Sequence, residues 1–113
     1  MDIPHRLSSD QMMYLTEKYG VEFAQVYELG QGKNGGGGRY LLFSGSVSTV
    51  KIPLKPTLML IDHTHPSGTP WPSEDDKNLM KVLAALGSPQ RTSAIVPKGK
   101  KDVLFTSKGV RHD

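Results

Sequence analysis

The sequence predicts an α/β (α+β) domain, a mixed central β-sheet flanked by helices. Two stretches with helix-capping signals, beginning at Ser8 and Ser73, are separated and followed by short runs rich in β-branched and aromatic residues. A length of 113 residues suits one domain around one core, so residues 1–113 are read as a single domain. No repeat or linker divides the chain, and the four glycines from Gly35 to Gly38 are its one low-complexity segment.

Ser8 caps the first helix with Gln11 as its capping-box partner, Leu7 and Met12 form a hydrophobic staple, and Gly20 ends it. Met12, Leu15 and Tyr19 fall on one face. "VEFAQVYEL", 21–29, reads as a strand broken by "GQGKNGGGG", 30–38, which lacks the Lys-Ser/Thr ending of a phosphate-binding loop and reads as a mobile hairpin tip or lid. "RYLLFSG" returns as the second strand, and "STVKIPL" is a third stretch ending at Pro53 and Pro56. "TLMLID", 57–62, is a continuous apolar run suited to a central strand covered on both faces. Ser73 opens a second helix with an apolar stripe of Leu79, Val82, Leu83 and Leu86; Gly87 caps it and Pro89 forbids continuation. "TSAIVP" and "DVLFT" are two last strands joined by the basic turn "KGKK", 98–101.

With 36% hydrophobic and 22% charged residues the chain is globular, and no apolar run approaches the roughly 20 residues that span a bilayer. It is expected to be soluble with no membrane partner. The N-terminus lacks the layout of a secretory signal. There is no cysteine, so any metal chemistry must use His and carboxylate. Residues 1–76 carry six Lys/Arg against nine Asp/Glu and residues 77–113 carry eight against two. The basic end is best read as a solvated turn, and nucleic acid as an unlikely partner.

The chemistry concentrates in "IDHTHPSGTPWPSEDD", 61–76. Side chains two apart on a strand share a side, so His63 and His65 aim both imidazoles at one point while Thr64 and Asp62 face away. Two imidazoles, one carboxylate and an open fourth position make a catalytic zinc arrangement. With Ser73 as N-cap, Asp76 lies in the first helical turn, where the Pro/Gly loop can fold it back over the strand end; it is the third ligand. Each piece alone has a plainer reading. Ser73-x-x-Asp76 is a capping box that needs no metal, and a histidine pair can be a polar rim. Their conjunction favours the metal.

His63-x-His65, seven residues, then Ser73-x-x-Asp76, with Pro66 and Gly68 between, resembles the signature of the JAMM (JAB/MPN+) metalloprotease family. "VEF", "FSG" and "HTHPSG" are especially similar to RadC-like bacterial members, and the compact form resembles JAB domains of bacterial polymorphic toxins. The resemblance runs from about Leu7 to Thr106 and implies a JAB/MPN-like fold. It implies that His63, His65 and Asp76 bind Zn2+, that Glu22 handles the proton of the metal-bound water, and that Ser73 helps hold the oxyanion. It also implies hydrolysis of a peptide or isopeptide bond in a protein or peptide substrate, ubiquitin-like modifiers included. The setting it implies is the bacterial cytoplasm or the effector domain of a larger secreted protein. The alternative is a RadC-like module that binds protein or nucleic acid without hydrolysing it. Glu28 lies six residues from Glu22 and shares its strand face, but Glu22 sits at the strand start, where the family has its glutamate. Trp71 either lines the substrate groove or packs over the second helix. His5 and His112 are expected to be bystanders.

Overall fold

The computed structural model describes residues 1–111. Its elements run β1 (Asp2–Ile3), α1 (Ser9–Tyr19), β2 (Phe23–Glu28), β3 (Arg39–Ser44), β4 (Leu58–His65), α2 (Glu74–Leu86), β5 (Ser93–Pro97), β6 (Val103–Thr106) and β7 (Gly109–Val110). The strands form one mixed sheet in the order β1-β3-β2-β4-β5-β6-β7. β4 and β5 are its parallel pair, joined through α2, and the other neighbours are antiparallel. The expected mixed sheet with flanking helices is what the chain forms.

Both helices start and stop where their caps dictate. Ser8 and Ser73 each accept the N–H of the third helical residue, and Gln11 and Asp76 return a side-chain bond to the cap N–H. Gly20 and Gly87 end the helices in left-handed conformation, at φ 70° and 102°, where a Cβ would be strained.

The sheet separates two apolar layers. On one face Met12 of α1 packs with Phe23 and Leu42, joined by Leu7, Leu15 and Val21. On the other, Met80 and Leu83 of α2 pack with Ala24, Val26, Leu58, Leu60, Ile95 and Phe105. The fully buried Met, Val, Leu, Ile and Phe side chains among these contribute roughly 1.5–3 kcal/mol each. Tyr19 departs from the expected α1 face: it is exposed and rests its ring on Phe23, centroids 6.0 Å apart. The α2 stripe is also corrected, because Val82 and Leu86 are exposed while Met80 and Leu83 are buried. Met80 and Leu83 lie four and seven residues after Asp76, so the face that buries them also turns Asp76 to the sheet.

Two further differences have physical causes, and the Gly-rich tip has hydrogen bonds of its own. Residues 48–54, expected as a strand, are irregular; Pro53 and Pro56 withhold backbone donors there, and the segment crosses the surface towards β4. The two-residue edge strands β1 and β7 carry too little alternation to be seen in sequence. The Gly-rich hairpin tip is tied to itself: Gly30 N–H donates to the Gly35 carbonyl at 2.9 Å, and the Tyr27 hydroxyl donates to that carbonyl and accepts the Gly38 N–H.

One irregularity positions the site. Gln25 lies opposite Asp62 and Val26 opposite Leu60, leaving Ile61 without a partner on β2. This one-residue bulge reverses the alternation of β4. Leu58 and Leu60 face α2, and after the bulge His63 and His65 do too, while Asp62 and Thr64 face α1.

Candidate metal centre

β4 delivers two imidazoles and the start of α2 delivers a carboxylate to one point. His63 Nε2 and His65 Nε2 are 3.0 Å apart, and Asp76 Oδ2 stands 3.2 Å from the first and 3.3 Å from the second. A tetrahedral ion with bonds of about 2.0–2.1 Å separates its donor atoms by roughly 3.3–3.4 Å, so the triangle is close to the size a zinc ion needs. Two of the three groups are held from behind by hydrogen bonds, and the third packs against an aromatic ring. The Thr69 carbonyl lies 2.8 Å from His65 Nδ1, which assigns that nitrogen the proton and leaves a lone pair on Nε2 of the neutral ring. Among the described residues His63 Nδ1 is buried with no hydrogen-bond partner, and its ring sits edge-on to Phe105, centroids 5.8 Å apart. Asp76 Oδ2 accepts the Ser73 N–H at 2.9 Å, so the capping box itself aims the carboxylate. Two imidazoles converging beside a carboxylate fit a cation.

Glu22 joins from the residue before β2. Its backbone is clamped on both sides, N–H to the Ser46 carbonyl at 2.8 Å and carbonyl from the Gly45 N–H at 2.9 Å. Its carboxylate lies within 4.8 Å of the ligand atoms of His63 and His65, and this buried Glu22–His63–His65 triad can hold a metal ion. Two three-donor sets therefore share the imidazole pair. The Asp76 set is the tighter, with its carboxylate oxygen at 3.2 and 3.3 Å.

The charges are tuned accordingly. Burial works to raise the Asp76 carboxyl, but its bonds to His63 and His65 outweigh that and hold it well below the ordinary carboxylate range. Burial works to lower His65, yet Asp76, the Thr69 carbonyl and Glu22 together carry it above its ordinary value. Glu22 is raised by burial, against the pull of both imidazoles.

Glu22, His65, Ser73 and Asp76 open onto a cleft of about 350 Å³ whose far wall is Ser48–Ile52. Ser73 Oγ accepts the Asp76 N–H at 3.1 Å, so capping uses a lone pair and leaves the hydroxyl proton free to donate. Trp71 is not brought to this cleft; it is 61% exposed, neither lining the groove nor buried against α2. Glu28 shares the Glu22 face but lies at the far end of β2, paired with Lys55 and Arg39, which hold its carboxyl low. Asp62 faces α1, where Gln25 donates to it at 3.1 Å, and Asp75 lines the cleft without joining the donor set. His5 is exposed, its ring against the Arg6 carbonyl, and His112 lies outside the described residues. The basic turn braces the motif loop: Lys100 Nζ donates to the Gly68 carbonyl at 2.6 Å and Lys98 N–H to the His65 carbonyl at 3.1 Å.

The wall formed by Ser48–Ile52 is not foreseeable from sequence, because a segment with strand-like composition gives no sign that it will cross a cleft instead of pairing. Among the described residues no helix is long and apolar enough to cross a membrane. No family model, curated protein or solved structure matches the chain.

Proposed function

We propose that this chain is a zinc-dependent hydrolase of peptide or isopeptide bonds, of the JAMM type. The observation that carries the reading is the convergence of His63, His65 and Asp76 at 3.0–3.3 Å beside a buried Glu22 in one open cleft. Zinc, held by His63, His65 and Asp76, would act as a Lewis acid on the scissile carbonyl and lower the pKa of a water towards about 7. The chain's own groups do the rest. Glu22, its carboxyl raised by burial, takes a proton on its carboxylate and returns it to the leaving amine. The free Ser73 hydroxyl proton donates to the carbonyl oxygen as that atom gains charge. Opposite them, Val50, Lys51 and Ile52 make no backbone–backbone hydrogen bond among the described residues, which leaves an edge that an extended peptide can pair with.

Elemental analysis of the purified protein should find about one zinc per chain, absent from the His63→Ala/His65→Ala/Asp76→Ala variant. Glu22→Gln should keep the zinc while hydrolysis of peptide and ubiquitin-like substrates falls about 100-fold or more. Zinc bound as tightly by the triple variant would sink the site, and Glu28→Gln abolishing hydrolysis in place of Glu22→Gln would reverse the base. Zinc with no turnover on any substrate would favour the non-hydrolytic binding module.

A further inference from the structure

On the edge that faces β5, β4 lacks a neighbouring strand where its alternation reverses. Parallel pairing with β5 starts at Asp62 opposite Ala94, so Leu58 to Ile61 have no strand on that side. Side chains fill the edge. The Ser88 hydroxyl donates to the Leu58 carbonyl at 3.0 Å, and the Ser93 hydroxyl reaches the Ile61 carbonyl at 3.4 Å. Between them the buried carboxamide of Gln90 accepts the Leu60 N–H at 2.7 Å and donates back to the Leu60 carbonyl. Leu60 thus receives from one side chain both bonds that a paired strand would supply. The same Gln90 amide also donates to the Thr92 carbonyl at 2.8 Å, one residue before β5.

We propose that Gln90 is a positioning residue for the His63–His65 pair, acting through the bulge at Ile61; for the metal, the proposal rests on the zinc reading above. Tying Leu60 to the approach of β5, while Asp62 is paired with Ala94, fixes the span between Leu60 and Asp62 on this edge. The intervening Ile61 is then left out of register with β2. An unbulged strand would alternate strictly, and with Leu58 and Leu60 kept in the α2-side core it would turn His63 and His65 towards α1, away from Asp76. Gln90 therefore sets which face receives the imidazoles, although it touches neither.

Gln90→Met keeps the length of the side chain and removes its hydrogen bonds, and Gln90→Glu keeps the acceptor for the Leu60 N–H but removes both donated bonds. Leu42→Ala, in the other apolar layer, is the stability control. Cobalt(II) is the probe, because its visible absorption reports coordination geometry. In the zinc-free protein, NMR cross-peaks between the His63 and Phe105 rings report the face. Gln90→Met should weaken cobalt binding about tenfold or more, change the cobalt spectrum and abolish the His63–Phe105 cross-peaks, with Gln90→Glu between it and the parent. Leu42→Ala should lower the unfolding temperature and leave all three unchanged. The parent cobalt spectrum, affinity and cross-peaks surviving in Gln90→Met, or in Gln90→Glu where the Met variant does not fold, would overturn the proposal. A parent protein that binds no cobalt, together with a Gln90→Met variant whose two rings no longer show cross-peaks, would remove the metal and uphold the positioning role.

Discussion

Asp76 uses one oxygen for two purposes, closing the capping box of α2 and facing both imidazoles, so helix start and proposed metal centre are built from the same atoms. Ser73 shares that economy, and the protein carries its own control. Ser8 closes the same kind of box on α1 without facing the cleft. Ser8→Ala and Ser73→Ala should each lower stability by about 1 kcal/mol in thermal unfolding, whereas Ser73→Ala alone should also lower turnover, by roughly 100-fold. Matching turnover in the two variants would reduce Ser73 to a cap. Asp62 is a second test. Burial raises its carboxyl from 3.8 to about 6, with the Gln25 bond opposing the rise. The folded protein then holds a proton that the unfolded chain has released between about pH 4 and 6, so stability falls as pH rises through that window and stays reduced above it. The shift corresponds to roughly 3 kcal/mol. Asp62→Asn, which can still accept from Gln25, should raise the unfolding temperature of the zinc-free protein near neutral pH and have little effect near pH 4. An equal effect at both pH values would show that Asp62 is not carrying this cost. These roles differ in how legible they are. Ser73, Asp76 and the two histidines are visible in sequence because cap spacing and strand parity are local rules, whereas the burial that raises Asp62 and Glu22 comes from layers distant in sequence.

Among the elements, the caps of α1 and α2 and the strands β2 to β6 follow from local signals. The bulge in β4 does not. Parity correctly groups His63 with His65 and opposes Asp62 and Thr64, but it places Leu60 on the wrong face relative to the histidines, because the extra residue is set by pairing with β2 and by Gln90. Residues 48–54 fail for a related reason: their composition suits a strand, yet sheet pairing leaves them outside and the prolines limit what they can donate. Their turn has a consequence for the proposed hydrolysis. A Cβ at Gly45 would meet the Thr49 carbonyl oxygen at 2.0 Å, so Gly45→Ala must open the turn that clamps the Glu22 backbone through Gly45 and Ser46. It should lower hydrolysis at least tenfold while zinc stays bound, since none of the three ligands lies on that turn. Loss of zinc in step with activity, measured by elemental analysis on the same samples, would contradict this separation.

At the level of the whole molecule, the proposed metal ligands come from both sides of one crossover, β4 and α2, so an ion bound there would cross-link the central strand to the helix that covers it. Zinc should therefore act as a stability ligand. At a free concentration one hundred times its dissociation constant it adds about 2.7 kcal/mol, which for a chain of this size raises the unfolding temperature by roughly 10 °C. The increment has a predictable pH dependence. In the zinc-free protein the raised His65 stabilises fully below its unfolded value near 6.5, and that contribution is lost as pH rises through its higher folded value. The lowered Asp76 contributes above its unfolded value of 3.8 and loses that contribution only as pH falls towards its lower folded value. The protonated His65–Asp76 pair thus serves the zinc-free protein best between about pH 4 and 6.5, the range in which zinc must displace a proton to bind. The zinc-induced rise in unfolding temperature should accordingly be larger at about pH 8 than at about pH 6, and absent at both in the variant lacking His63, His65 and Asp76. A rise that is independent of pH, or that survives in that variant, would place the ion somewhere other than this triangle.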